Sequence, residues 1–229
     1  MAVAGCADLR SINEARDDRR EFSLSGDRLV IDNDGVDLRL VAGAGAAVEV
    51  QRSLTGKATA DDNASWALDG GTLRLTVTCS GLVPDCGGRH VVHVPAGVAV
   101  EVTSDAPVRA VGLDVDFSAT VTDAWLRVED PTGPLRLHAE EGVEVTGARS
   151  ATVSATSTGR GVDLGFTSAP TRVEARAGGS VAVTLPGGPE TYRVTAAPGR
   201  PGLTSDPTSE RTVTATAGEG LTATVRKAS

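Results

Sequence analysis

The chain has 229 residues, a formal net charge of −8 and 3% aromatic residues. A chain of this length forms one large all-β domain or two small ones, and it can bury a core without structural cross-links. The acidic balance disfavours nucleic acid as a partner, and no apolar stretch approaches the roughly 18 residues of a membrane-spanning helix.

The first residues resemble the end of a bacterial lipoprotein signal. Val3, Ala4 and Gly5 precede Cys6, which matches the lipobox, where a branched apolar residue and two small residues stand before the cysteine that receives a diacylglycerol. The basic start and full apolar segment of a complete export signal are missing. The polar, charged residues that follow are typical of a flexible tether. We expect residues 1–22 to be a truncated lipobox and tether with a lipid on Cys6; the alternative is a free thiol.

Residues 23–95 are predicted to form an N-terminal β-meander that caps one end of the molecule. Short alternating apolar runs are separated by turn residues throughout this part. Asp34 and Gly35 stand between two such runs, and Asp-Gly in this position predicts a hairpin. Trp66 is expected to fill the core of the meander.

Two further cysteines flank a loop in "LTVTCSGLVPDCGGRHVVHVP". A disulfide between Cys79 and Cys86 would close a hairpin loop and contribute about 2–3 kcal/mol; free thiols are the alternative. A zinc site needs four ligands, and His90 and His93 point to opposite faces of a strand because they are three residues apart. We therefore predict neither a metal site nor a cofactor.

Residues 96–229 contain a repeat of about 20 residues. The clearest copies are "ATVSATSTGRGVDLGFTSAP", "TRVEARAGGSVAVTLPGGPE", "TYRVTAAPGRPGLTSDPTSE" and "RTVTATAGEGLTATVRKAS". The first apolar column recurs at spacings of 20, 21 and 19 residues: Val153, Val173, Val194 and Val213. The column beside it consists of Ala155, Ala175, Ala196 and Ala215. The second strand of each copy is expected to hold Val162, Val181, Leu203 and Leu221.

A short period with returning columns predicts coils that stack on one another, since one coil cannot bury its apolar face alone. The fold class is therefore all-β, with a right-handed parallel β-helix or solenoid-like C-terminal half. Glycines are expected to supply positive-φ corners between the strands. The alternative is a β-sandwich, which also has many short strands but does not need identical positions to return in each repeat.

Together these features resemble a bacterial, mainly actinobacterial, "putative adhesin" family of unknown function. The matching text is "SWALDGGTLRLTVTC", "VVHVPAGVAVEVTSDAPVRAVGL" and "RAGGSVAVTLPGGPETYRV", in the family's order and over roughly residues 28–227. The Ser-Gly-Asp corners of the family are replaced here by "TSTGRG", "RAGGS", "APGRPG" and "TAGEG". The resemblance implies a right-handed β-helix-like fold and a cell-surface address.

Candidates for catalysis are weak. Asp114 and Asp116 lie close in sequence to Asp123 and Arg127, a faint version of the paired carboxylates that glycosidases use. A second faint cluster consists of His138, Glu140 and Glu141, for which a solvated face is the simpler interpretation.

We therefore expect a non-enzymatic, lipid-anchored, extracytoplasmic protein with a structural or adhesin-like role. Its partner would be a surface protein or a glycan, it would not bind nucleic acid, and it would contact the membrane only through the lipid on Cys6. The alternatives are a β-helix enzyme that acts on cell-envelope glycans and an accessory or sensor subunit of a membrane partner.

Overall fold

The computed structural model describes residues 15–78, 86–199 and 201–228, which form two open ten-stranded β-sheets. Sheet 1 contains β1 (Ala15–Phe22), β3 (Asp37–Ala42), β4 (Val48–Gly56), β7 (Cys86–Val94), β9 (Val108–Val111), β11 (Trp125–Glu129), β13 (Gly142–Ala148), β15 (Gly161–Phe166), β17 (Ser180–Leu185) and β20 (Ala223–Lys227). Sheet 2 contains β2 (Arg28–Asp34), β5 (Ala64–Asp69), β6 (Thr72–Val77), β8 (Ala99–Ser104), β10 (Phe117–Val121), β12 (Leu135–Ala139), β14 (Thr152–Ser157), β16 (Arg172–Ala177), β18 (Arg193–Ala197) and β19 (Thr212–Thr216). Short 3₁₀ turns at Lys57–Thr59 and Asp61–Asn63 connect β4 to β5.

The chain path alternates between the two sheets from β8 to β18, and each strand from β8 to β15 pairs in parallel with the strand two positions further along. Inward side chains of both sheets, mainly Val, Leu and Ala, form one continuous core. The protein thus has the two face-packed sheets of the predicted β-sandwich alternative and the in-register parallel ladders expected of stacked coils. No helix in these described ranges is long and apolar enough to cross a membrane.

The repeat columns lie in register in sheet 2. Val153 pairs with Val173, Val173 with Val213, and Val213 with Val194. The alanine column two residues further along follows the same order. The spatial order therefore differs from the chain order, because β19 lies between β16 and β18.

The second-strand column is correct only in part. Val162 and Val181 pair in β15 and β17, but Ala223 rather than Leu221 lies opposite Val181. Leu203 lies outside the strands, and Leu221 is 43% exposed. The prediction failed here because the chain returns to sheet 2 as β19 after β18, without adding a strand to sheet 1 in between, so the simple alternation of strands ends at β18.

The predicted hairpin at Asp34–Gly35 is wrong, although the turn exists. The strands on either side of it lie in different sheets: β2 pairs in parallel with β6 and β8, and β3 with β7 and β9. Consecutive strands form a hairpin only at β5–β6 within the described part of residues 23–95. Strands from this part and from residues 96–228 share both sheets and the main core.

Side chains close the N-terminal end of the stack. The rings of Phe22 on β1 and Trp66 on β5 meet edge to face, with centroids 6.3 Å apart. The buried guanidinium of Arg52 stacks 4.1 Å from the Trp66 centroid and donates a hydrogen bond of 2.9 Å to Asp18. Trp66 is partly buried and packs against the core, so it covers the end of the stack rather than filling its centre.

The C-terminal end is covered by the β18–β19 connection through both backbone and side-chain hydrogen bonds. Gly202 N donates to the carbonyl of Val225 on β20 at 2.7 Å, and the hydroxyl of Ser205 accepts from Val194 N on β18 at 2.9 Å. These bonds occupy groups on both edge strands, which would otherwise be open to another chain.

Several corner glycines are required because successive coils approach closely. A Cβ placed on Gly179 would lie 1.4 Å from the Arg160 carbonyl oxygen, and one on Gly159 would lie 2.4 Å from the Glu140 oxygen. Neither glycine has a positive φ, whereas the expected positive-φ corners occur at other glycines, such as Gly112 with a φ of 66° and Gly220 with a φ of 75°. At Gly159 and Gly179, the absent side chain lets one coil rest on the backbone of the next.

Candidate functional site

A groove of 510 Å³ opens on the outer face of sheet 1, across β11, β13, β15 and β17. We call it the Trp125 groove. One outward row crosses it in register from Trp125 through Gly142 and Gly161 to Ser180. The adjacent outward row consists of Arg127, Glu144, Asp163 and Ala182.

The floor of the groove is bare backbone at Gly142 and Gly161. Three strand spacings separate Trp125 from Ser180, a span of roughly 14 Å at the usual sheet spacing. Gly161 cannot be replaced by a residue with a side chain unless the backbone moves, since a Cβ there would lie 2.6 Å from the Ser180 carbonyl oxygen. A side chain can be added at Gly142, because the nearest atom to its Cβ would be 3.4 Å away. The floor can thus be filled at Gly142 without forcing the strands apart.

Trp125 forms one wall of the groove and is 38% exposed. It is, with Leu221, one of two large apolar side chains exposed to this degree in the described ranges. The guanidinium of Arg127 lies 5.4 Å from the Trp125 ring centroid and forms an ion pair of 2.7 Å with Glu144. This chain of contacts orients the indole and neutralises one carboxylate of the groove.

Asp163 carries the unbalanced carboxylate of the second row. Desolvation by the surrounding sheet, followed by repulsion from Glu144, raises the pKa of Asp163 above its usual value, and Arg226 opposes the shift. Asp163 makes no ion pair with any residue that the structure describes. Arg160 and Glu141 also line the groove, and their side chains likewise lack an ion-pair partner in the described ranges.

The faint glycosidase cluster does not assemble. Asp116 accepts a hydrogen bond of 2.8 Å from Arg136 of sheet 2, whereas Arg127 binds Glu144 on the outer face of sheet 1. Asp114 is exposed in the connection before β10. Asp123 is an exposed corner residue with a φ of 56°.

The second faint cluster is also divided. Glu141 lines the Trp125 groove, while His138 lies half-buried on the outer face of sheet 2. Glu140 accepts a hydrogen bond of 3.3 Å from the backbone N–H of Asp123. No group of three or more potential metal ligands occurs in the described ranges.

The histidines of β7 point to opposite faces. His90 is buried, and His93 faces outward with its Nε2 3.8 Å from Glu49. The disulfide cannot be placed, because Cys79 lies outside the described residues; Cys86 is the first residue of β7. Cys6 also lies outside them, so its lipidation stays a prediction.

His90 belongs to a buried polar cluster that bridges the sheets. The Asn33 amide donates to the Val36 carbonyl at 2.8 Å and to the Ser104 hydroxyl at 2.9 Å, so its oxygen accepts from His90 Nδ1 at 3.0 Å. Burial, and then the charge of Arg52, lower the pKa of His90 from 6.5 to about 4. The neutral imidazole is therefore the form that this cluster holds near neutral pH.

Sequence reasoning missed most of the groove. A signal was present, because Gly142, Gly161 and Ser180 each precede a core valine of a second strand. Recognising it required the register of β11 against β13, which the irregular upstream repeats obscure. The unbalanced charge of Asp163 depends on which neighbours face it, and only the structure provides that.

The chain matches no family model and no curated protein. Solved structures resemble it at low identity. A "putative adhesin" from Bacteroides fragilis is 14% identical, with 93% of this chain and 97% of that chain covered and a TM-score of 0.45. A "putative adhesin" from Parabacteroides distasonis is 11% identical, with 95% and 98% covered and a TM-score of 0.47. A "putative lipid binding protein" from the same species is 10% identical, with 93% and 97% covered and a TM-score of 0.47. An actinobacterial origin stays a prediction.

Proposed function

We propose that this chain is a non-catalytic, adhesin-like surface protein that presents the Trp125 groove to an extracellular ligand. The observation that carries the proposal is the exposed indole of Trp125 beside a floor without side chains at Gly142 and Gly161. In-register strands on a continuous core hold these groups in place, so binding would require little ordering of the protein.

The proposed location in the cell envelope rests on the resemblance of the residues before Cys6 to a lipobox. A Cys6→Ser variant, expressed behind a complete export signal, is expected to lose lipid labelling and membrane association. A disulfide between Cys79 and Cys86 suits the same oxidising compartment. Thiol alkylation and mass measurement, with and without reductant, test this pair. If lipid labels Cys6→Ser as well as the parent chain, the anchor is elsewhere.

The coils are proposed to be right-handed, as in the β-helix that the family resemblance implies. Parallel strands joined by crossovers have this hand almost without exception. The alternating path from β8 to β17 is the structural basis for applying that rule here.

A surface-binding assay tests the adhesive function. Fluorescently labelled protein should bind intact cells saturably, and Trp125→Ala should remove most of this binding. Leu221→Ala is the matched control, because Leu221 is similarly exposed, at 43% against 38% for Trp125, but lies outside the groove. Equal losses in the two variants, or no loss in Trp125→Ala, would contradict the assignment.

A glycan-cleaving enzyme is the second candidate. The raised pKa of Asp163 and the Arg127-paired carboxylate of Glu144 resemble the unlike carboxyl pair of glycosidases. Incubation with cell-wall glycan fragments distinguishes the two candidates. Release of new reducing ends that Asp163→Asn abolishes would replace the adhesive function with the enzymatic one.

A further inference from the structure

The Trp125 groove presents unpaired polar groups of both signs. Arg127 and Glu144 neutralise each other at 2.7 Å. Within the described part of the chain, Arg160 remains as an unpaired hydrogen-bond donor, while Asp163 and Glu141 remain as unpaired acceptors when ionised. All three line the same groove as the indole of Trp125 and the two-glycine floor.

This combination restricts the chemistry of a ligand. A purely cationic ligand would meet Arg160 with like charge, and a purely anionic one would meet Asp163 and Glu141 in the same way. A hydroxyl group both donates and accepts, so a polyhydroxylated molecule can satisfy donors and acceptors together. The apolar surface of Trp125 additionally favours a ligand with one flat, less polar face.

We propose that the Trp125 groove binds a neutral saccharide, an inference that rests on the proposed adhesive function and names its ligand class. The sugar ring lies over the bare backbone of Gly142 and Gly161, with its less polar face against Trp125. Its hydroxyls donate to Asp163 and Glu141 and accept from Arg160. The span from Trp125 to Ser180, roughly 14 Å, leaves room for more than one sugar unit.

A neutral-glycan array followed by amide NMR titration tests this proposal. The NMR probes are maltotriose, cellotriose and chitotriose, together with any glycan that the array detects. We expect at least one neutral glycan to shift the amide signals of Gly142, Gly161 and Ser180 saturably. Trp125→Ala should weaken its affinity about tenfold or more, and Leu221→Ala should stay within about twofold of the parent chain.

Charged probes test whether the groove instead prefers a cationic or an anionic ligand. Saturable shifts of the groove amides with trilysine alone, or with dextran sulfate alone, would overturn the saccharide assignment. Binding of no neutral glycan would overturn it as well. If Trp125→Ala abolishes cell binding while no neutral glycan binds, the adhesive function stands and only the ligand class is wrong. If Trp125→Ala binds cells normally, the site of the adhesive function is wrong.

Discussion

The two sheets share one core, yet their outer faces are built differently. Every glycine that lies within a described strand belongs to sheet 1: Gly56, Gly87, Gly88, Gly142, Gly147, Gly161 and Gly165. Both outer faces carry ion pairs between neighbouring strands, such as Arg127–Glu144 at 2.7 Å on sheet 1 and Arg74–Asp32 at 3.9 Å on sheet 2, but the described strands of sheet 2 contain no glycine. The inward apolar columns hold the coils together through the core, whereas outward residues of sheet 1 do not pack in the core and can line a groove.

The largest expected effect concerns the corners that join the sheets. Gly179→Ala should destabilise the protein by about 3 kcal/mol, because its Cβ would lie 1.4 Å from the Arg160 carbonyl oxygen and the backbone must shift. Gly45→Ala is the control, since its nearest atom would be 4.0 Å away. Urea unfolding of both variants measures the difference. A similar midpoint for the two would show that the coils can separate at the corner.

The next effect concerns the polar link between the sheets. The unfolded chain protonates His90 near pH 6.5, whereas the folded chain does so only near 4, so stability should fall as the pH drops between these values. The loss of stability should reach about 2 kcal/mol by pH 5. His90→Gln should lose this part of the pH dependence, while His138→Gln, on the outer face of sheet 2, should keep it.

Unfolding free energies of the parent chain and both histidine variants at several pH values test this difference. Carboxylates also affect stability at the acidic end, so the comparison between variants isolates His90. An unchanged slope in His90→Gln would contradict the structural account of the cluster.

The smallest effect is expected on the outer face of sheet 2. Arg136→Ala removes the exposed ion pair with Asp116 and should change the unfolding free energy by no more than about 0.5 kcal/mol. It should leave ligand binding unchanged, because Arg136 and the Trp125 groove lie on different sheets. A clear loss of binding in this variant would show that sheet 2 also contributes to recognition.

Periodic apolar residues made the sequence informative about the all-β class and the ladder positions. Val153 and Val173 return at the same point of each coil because a parallel ladder places equivalent residues side by side. The sequence predicted the turn at Asp34–Gly35. It did not predict which strands pair with the two strands on either side, since a tight turn can join strands of one sheet or of two sheets. Nothing in the sequence indicated that β19 lies between β16 and β18, because the spacing of repeats along the chain does not reveal the order of strands in a sheet.

The groove was harder to predict for a different reason. In the sequence alone, a glycine within a strand indicates only lower strand stability. Its part in the groove is apparent only in the structure, where neighbouring coils place Gly142 beside Gly161 and Trp125. Likewise, the proximity of Asp114, Asp116 and Asp123 in sequence suggested a cluster that the alternation of strands between sheets separates.

The central claim is that recognition takes place on the glycine floor of sheet 1. The most direct measurement compares ligand binding by Gly142→Val and Gly165→Val in the cell-surface assay. Both substitutions add the same side chain to an outward position of sheet 1, with nearest contacts of 3.4 and 3.5 Å for the new Cβ, but only Gly142 lines the groove. We expect Gly142→Val to abolish binding while remaining folded, and Gly165→Val to bind as the parent chain does. Equal binding by the two folded variants would contradict the claim.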